Sequence, residues 1–215
     1  MAIEVKICGL NSADAVAAAV ENGARHVGFV FYPPSPRSLG IAQAAALVAG
    51  VPPGITRVGV FVDPDDTLLE NVLTKMRLDM AQLHGSETPD RAAAIKRRFG
   101  IKVMKAIKVA SELDLQSAKT FLGSVDWLMF DAKAPKDMTN ALPGGNALAF
   151  DWELLRQKSW PLPWMLSGGL KPENLAEAVK ISRAEAVDVS SGVERKPGEK
   201  DPAKVRAFLA RAQAV

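Results

Sequence analysis

Eight short apolar runs recur along the 215 residues, each followed by a stretch that favours helix. As strands they span residues 2–8, 26–31, 57–62, 80–83, 102–107, 127–131, 164–167 and 186–190. Helix signals fill the intervals. Asn11 or Ser12 caps residues 13–22 before Gly23, and Gly50 closes residues 41–49. A third helix follows Asp63-Pro64 to about residue 76, and Thr88-Pro89 opens a fourth with proline at its first position. Residues 111–122, 151–158 and 172–181 continue the alternation, and a last helix starts near 202 after Asp201. Only two intervals are long: a Pro/Ser-rich loop after the second strand, and the irregular segment 132–149 after the sixth. Repetition of strand, helix and short loop from end to end predicts a closed (β/α)8 barrel, the TIM barrel, in one domain over residues 1–215. A doubly wound open sheet is the competitor. It usually has fewer strands, and no Gly-x-Gly-x-x-Gly follows the first one here.

Composition narrows what such a barrel does. A formal charge of +3, spread along the chain, suits anionic small molecules and gives no basis for a nucleic-acid surface. No apolar run is long enough to span a membrane, and Glu4 and Lys6 inside the first apolar stretch are foreign to a signal peptide. A single cysteine excludes an intrachain disulfide and fits a reducing cytoplasm. His26 and His84 are the only histidines, so a zinc site is not expected. Monomer and homodimer both remain open.

Active sites of this fold lie at the C-terminal ends of the strands. Gathered there are Cys8, Arg37, Asp63, His84, Lys108, Asp131, Ser167-Gly168-Gly169 and Ser190-Ser191-Gly192. If Ile3, Val5 and Ile7 face an apolar layer, alternation turns Glu4, Lys6 and Cys8 the other way. By the same rule Leu128 and Phe130 face the helices, while Met129 and Asp131 point inward. Cys8 is either a buried structural thiol or a reactive one. Asp131 either serves proton transfer or caps a loop and pairs with Lys133. Lys6, Gln82 and Asp188 are also expected inside. Closure sets strand eight beside strand one, so Lys6 and Asp188 could pair, and Lys6 could draw the Cys8 thiol toward thiolate.

The glycine motifs share a physical purpose. Gly168 and Gly169 after strand seven, and Ser190, Ser191 and Gly192 after strand eight, let backbone N–H groups approach an anion closely. These two loops are the recurrent phosphate site of the fold, so a phosphorylated small molecule is the expected ligand.

Taken together, the motifs resemble those of the phosphoribosylanthranilate isomerases of tryptophan biosynthesis. They are Lys6-Ile7-Cys8-Gly9, Gly28-Phe29-Val30-Phe31-Tyr32-Pro33 with Ser35-Pro36-Arg37, Gly59-Val60-Phe61-Val62 and Gln82-Leu83-His84-Gly85. Phe130-Asp131-Ala132-Lys133, Phe150-Asp151-Trp152 and Leu166-Ser167-Gly168-Gly169-Leu170 follow. The last runs from Val187-Asp188-Val189 through Ser190-Ser191-Gly192-Val193-Glu194, with Pro197-Gly198 and Lys200-Asp201 behind. One departure stands out: the family usually has Gly-Gly-Thr-Gly before Phe-Asp-Trp, and this chain has Gly144-Gly145-Asn146-Ala147.

The resemblance implies an Amadori rearrangement of an aminoaldose phosphate to an aminoketose phosphate, with no cofactor and no metal. Asp131 matches the general acid and Cys8 the general base, which asks for a raised pKa on the first and a substantially ionised thiol on the second. Arg37 matches the position near the anthranilate carboxylate. Lys6, Gln82, Gly144, Gly145 and His84 complete the expected substrate-binding set, His84 reading first as a residue that orders the fourth loop. Gly168, Gly169, Ser190, Ser191 and Gly192 would hold phosphate. Two competing readings remain: another phosphosugar barrel, such as a ribulose-phosphate epimerase or indole-glycerol-phosphate synthase, and a barrel that binds a phosphorylated ligand without turnover.

Overall fold

Alternation along each strand decides which side chains close the barrel and which meet the helices. In the computed structural model, which describes residues 3–135, 137, 138, 142–156 and 158–215, eight parallel strands join in sequential order. They are β1 (Glu4–Cys8), β2 (His26–Phe31), β3 (Thr56–Phe61), β4 (Met80–Leu83), β5 (Lys102–Val109), β6 (Trp127–Ala132), β7 (Trp164–Leu166) and β8 (Ala186–Val189). Pairing of β1 with β8, Lys6 opposite Asp188, completes the cylinder. Ala2, placed in the first strand from sequence, lies outside the described residues.

Outside the cylinder, Val5, Ile7, Val27, Phe29, Phe61, Leu128, Phe130 and Val187 form one buried layer against the helices. Phe130 packs against Trp160 and Trp164 there, as alternation requires. Inside, Val58, Met80, Met104, Ala106, Met129, Met165 and Ala186 fill the floor. Above this floor come Lys6, Gln82 and Asp188, a buried polar tier. Above it the mouth opens, lined by Cys8, His84, Asp131 and Ser167 among others. His26 sits at the opposite end, edge-on to Trp127 and bonded to Glu4, so the two histidines occupy opposite faces of the barrel.

The helices are α1 (Ala13–Glu21), α2 (Ile41–Ala49), α3 (Asp66–Lys75), α4 (Pro89–Phe99), α5 (Glu112–Ala118), α6 (Leu175–Ser182) and α7 (Pro202–Gln213). Local chemistry sets their ends. Ser12, Asp65, Thr88 and Asp201 accept first-turn amides, Ser111 and Asp114 form a reciprocal capping box, and Gly100 ends α4 in the left-handed region. Among the described residues, the unit after β6 carries a single 3-10 turn, Trp152–Leu155, in place of the expected 151–158 helix, of which Gln157 lies outside those residues. Helix α6 starts three residues later than its sequence implies. Asn174 is turned back to accept from Lys171 N and donate to Gly169 O, so the turn before α6 braces the loop after β7.

A two-stranded antiparallel ribbon, β9 (Glu194–Lys196) with β10 (Glu199–Lys200), was not anticipated. Pro197-Gly198 turns it, with Gly198 at φ +84°. A Cβ on Gly198 would sit 2.4 Å from Pro36 O, and Asn11 donates to Gly198 O at 2.6 Å. The tip of the ribbon therefore presses on the loops after β1 and β2.

Among the described residues no helix is long and apolar enough to cross a membrane, and no group of three or more His, Cys, Asp or Glu side chains could hold a metal ion.

Lys6 donates to Asp188 Oδ1 at 2.8 Å within the closed tier. Burial pulls the Lys6 ammonium down, but Asp188 and Cys8 together outweigh it and the net shift is upward. Removing one partner leaves a bare charge in the barrel. Asp188→Ala should cost about 3–5 kcal/mol in urea unfolding, and the apolar pair Lys6→Met with Asp188→Leu should recover most of that loss.

Candidate active site

Cys8, at the end of β1, and Asp131, near the end of β6, line one cavity at the C-terminal mouth. Arg37, Gln82, His84, Gly144, Gly145, Gly168, Gly169, Ser190 and Ser191 line it as well. Of the other residues expected at the rim, Asp63 and Lys108 do not reach the cavity. Asp63 instead accepts from Ser86 N at 2.7 Å, and the Asp63 amide donates to Glu87 at 2.8 Å, so these two acids order the loop after β4.

Lys6 does not line the cavity either; it lies fully buried beneath it. Its influence is electrostatic. Gly28, across from Cys8 on β2, leaves the space in which Lys6 Nζ and Cys8 Sγ approach: a Cβ there would meet them at 3.0 and 3.1 Å. Burial pushes the Cys8 thiol above its usual range, and the Lys6 ammonium pulls it back without prevailing. The expectation that Lys6 favours thiolate holds in direction but loses to desolvation.

Asp131 does not pair with Lys133, which bonds Asp114 at 2.6 Å. Its Oδ1 accepts from Ala132 N at 3.0 Å, and its Oδ2 lies 3.0 Å from His84 Nε2. His84, read from sequence as a loop-ordering residue, is thus a direct partner of the carboxyl group. Gly144 covers this pair: a Cβ on Gly144 would stand 2.8 Å from His84 Nε2 and 3.1 Å from Asp131 Oδ2.

Arg37 is gripped along one edge. Its Nε and Nη2 donate to the two oxygens of Glu194 at 2.8 and 2.9 Å, and Nη2 also donates to Gly145 O at 3.3 Å. Nη1 has no acceptor among the described residues, and Gly145 is close enough that a Cβ there would come within 2.6 Å of it. Glu194 in turn accepts from Lys200 at 2.5 Å, and Lys200 donates to Ser190 O at 3.2 Å. Burial pushes the Glu194 carboxyl up, but Arg37 and Lys200 together bring it below its ordinary range. Glu194 and Lys200 belong to the site through this chain of contacts and were missed from sequence. The available signal was the Pro197-Gly198 turn between them, which marks the ribbon that brings both inward.

Ser190 departs from its expected role: its hydroxyl donates to Cys8 O at 3.1 Å, away from any anion cradle. Ser167 donates to Asp188 Oδ2 at 3.1 Å. The cradle itself is backbone. Among the described residues, the amides of Gly168, Gly169 and Ser191 find no acceptor. Gly168 and Gly169 take φ +92° and +64°, and a Cβ on Gly192 would fall 1.9 Å from Leu170 O, so these glycines let loops seven and eight meet. The departure in loop six also has a structural counterpart. Asn146 both donates to and accepts from the Leu142 backbone, closing a small ring, while Ala147 takes φ +57°, a conformation glycine adopts more readily.

A closed barrel whose mouth holds a thiol, a carboxyl paired with imidazole, a half-engaged guanidinium and a backbone anion cradle defines a (β/α)8-barrel enzyme for a small anionic substrate. Residues 5–211 match the family model described as N-(5'phosphoribosyl)anthranilate (PRA) isomerase. The chain is 58% identical over 215 residues to N-(5'-phosphoribosyl)anthranilate isomerase of Rhodospirillum centenum, covering all of both chains. It is 54% identical over 214 residues to that of Paracoccus denitrificans, covering 100% of this chain and 99% of the other. Among solved structures, phosphoribosyl anthranilate isomerase of Thermotoga maritima superposes with a TM-score of 0.86 at 36% identity, covering 99% of this chain and 100% of that one. A complex of phosphoribosyl anthranilate isomerase with reduced 1-(o-carboxyphenylamino)-1-deoxyribulose 5-phosphate gives 0.84 at 35% identity, with the same coverage. The chain belongs to the N-(5'-phosphoribosyl)anthranilate isomerase family.

Glu194 is the residue on which Arg37 and Lys200 both depend. Glu194→Ala leaves two buried cations without their anion, and should cost about 3–5 kcal/mol in chemical denaturation. At temperatures where the variant stays folded, KM should rise because Arg37 is no longer held in one pose.

Proposed function

We propose that Cys8 and Asp131 divide the acid and base work of the phosphoribosylanthranilate isomerase reaction, the step in tryptophan biosynthesis that defines the family. The observation that carries this reading is their placement, on β1 and β6, along one cavity with the glycine cradle. Asp131 gives its proton to the ribose ring oxygen. The ring C–O bond breaks as the anthranilate nitrogen lone pair forms C=N, giving a Schiff base. Cys8 then takes the C2′ proton, the electrons of that C–H bond move to form the enolamine, and tautomerisation yields the aminoketose. Arg37 Nη1 receives the anthranilate carboxylate, and the amides of Gly168, Gly169 and Ser191 receive the phosphate, fixing the sugar between acid and base.

Three further features support the division of labour. The acid and the base rise from well-separated strands, as groups acting on different atoms of one ring must. Gly144 and Gly145 cover the acid and the guanidinium together, so loop six can exclude water from both. The phosphosugar barrels that rely on clustered histidine ligands are poorly matched, since His26 lies at the far end of the barrel.

The substrate is fluorescent and the product much less so, which makes turnover visible. Cys8→Ala and Asp131→Asn should each lower kcat by about 10²- to 10⁴-fold while the fold is retained; full activity in either variant would remove that residue from the mechanism.

The pH dependence follows from the Cys8 environment. Because burial raises the thiol above its usual range, the free enzyme holds it protonated near neutrality. For a base, kcat/KM then rises with pH until the thiol ionises, and should still be climbing above about pH 8. A plateau already complete below about pH 7 in the kcat/KM profile would show that a different group sets this limb.

A further inference from the structure

Gln82 and His84 lie two residues apart at the end of β4 and face the cavity together. Gln82 Nε2 stands 2.8 Å from His84 Nδ1 and 3.4 Å from Met129 Sδ, while Gln82 Oε1 is buried without a partner among the described residues. The amide has two ways to stand. With nitrogen toward the imidazole, both amide hydrogens meet acceptors and one carbonyl oxygen goes unpaired. Turned over, the oxygen would face the Met129 thioether, another acceptor, and both hydrogens of the amide would be buried where nothing accepts them. Orphaned buried donors are rarer than under-used carbonyls, so the first arrangement is favoured.

That choice fixes the imidazole. A donor at Nδ1 requires a lone pair there, so the ring proton sits on Nε2, 3.0 Å from Asp131 Oδ2. We propose that Gln82 locks His84 as the neutral Nε2–H tautomer, making His84 a positioning residue whose N–H stabilises the carboxylate that Asp131 becomes on giving up its proton. The inference rests on the general-acid reading of Asp131. Together with Ala132 N–H on Oδ1, His84 supplies a second preset donor to the anion. Hydrogen bonds to a charged oxygen are stronger than those to the neutral acid, so this contact grows as the O–H bond breaks and acts on kcat more than on KM.

Two-bond 1H–15N correlation spectra of protein labelled with 15N-histidine read the tautomer without turnover. The signal lost in His84→Gln identifies the residue. Wild type should show a protonated Nε2 and a bare Nδ1; a proton on Nδ1 overturns the proposal. In steady-state assays His84→Met should lose about 10- to 100-fold in kcat with KM within about twofold. His84→Gln, which carries an N–H close to the Nε2 position, should recover most of that loss. Unchanged kcat in His84→Met, or no recovery in His84→Gln, also overturns it. Because the spectrum is independent of catalysis, a wrong tautomer is distinguished from full activity in Asp131→Asn, which would overturn the general-acid reading instead.

Discussion

The seam that closes the barrel holds one buried ion pair, and the site is arranged around it. Lys6 on β1 and Asp188 on β8 are register partners across the seam where the first and last strands meet, and their contact is sealed from water. The pair is expensive to build, since each charge must leave water, and it is secure only because each is the other's nearest counterion. From this tier the site is arranged upward. Asp188 accepts from Ser167, whose neighbours Gly168 and Gly169 form the cradle, and Lys6 approaches the thiol two residues above it. An apolar seam would close the strands as well, but it would leave Cys8 with burial alone acting on it.

The Cys8 environment shows the resulting compromise. The base role proposed for Cys8 requires it to shed its proton, yet the same packing that excludes water favours the neutral thiol. Lys6 opposes that tendency at short range, and Lys200 adds a weaker pull in the same direction. On the proposed reading the two anionic ends of the substrate go to Arg37 Nη1 and the backbone amides, so the mouth's cations and dipoles are only partly spent before binding. The Arg37 side chain illustrates this: Glu194 consumes one edge of the fork and fixes its plane, and the remaining nitrogen is aimed.

Much of the fold was legible because alternation is a local rule. Phe130 outward and Asp131 inward, or Ile7 outward and Cys8 inward, follow from position in the strand, and each strand end fell within one or two residues of its sequence reading. The pairing of Lys6 with Asp188 followed from closure alone. Side-chain commitments between distant loops were not legible. Ser190 looks like an anion ligand until Cys8 O is found beside it, and Glu194 looks like one acid in a charged tail until the β9–β10 ribbon carries it to Arg37. From sequence, His84 reads either as a substrate contact or as a residue that orders loop four. Glu87 and Asp63 do that work, and the imidazole is free to meet Asp131. The short 3-10 turn after β6 was hidden because residues 151–158 carry helix-compatible side chains, whereas among the described ones only Trp152–Leu155 complete a turn.

The ribbon at residues 194–200 has a consequence for how the molecule comes into being. Its tip rests on the loops after β1 and β2, and its two strands deliver the anion that orients Arg37 and the cation that holds Ser190. Strand β8, the other half of the seam, is also among the last segments made. Until β8 and the ribbon have been made, Lys6 lacks its partner Asp188 and Arg37 lacks Glu194. A nascent or truncated polypeptide lacking this ribbon would therefore carry Arg37 without the Glu194 carboxylate that fixes its plane, and Ser190 without the Lys200 ammonium beside it.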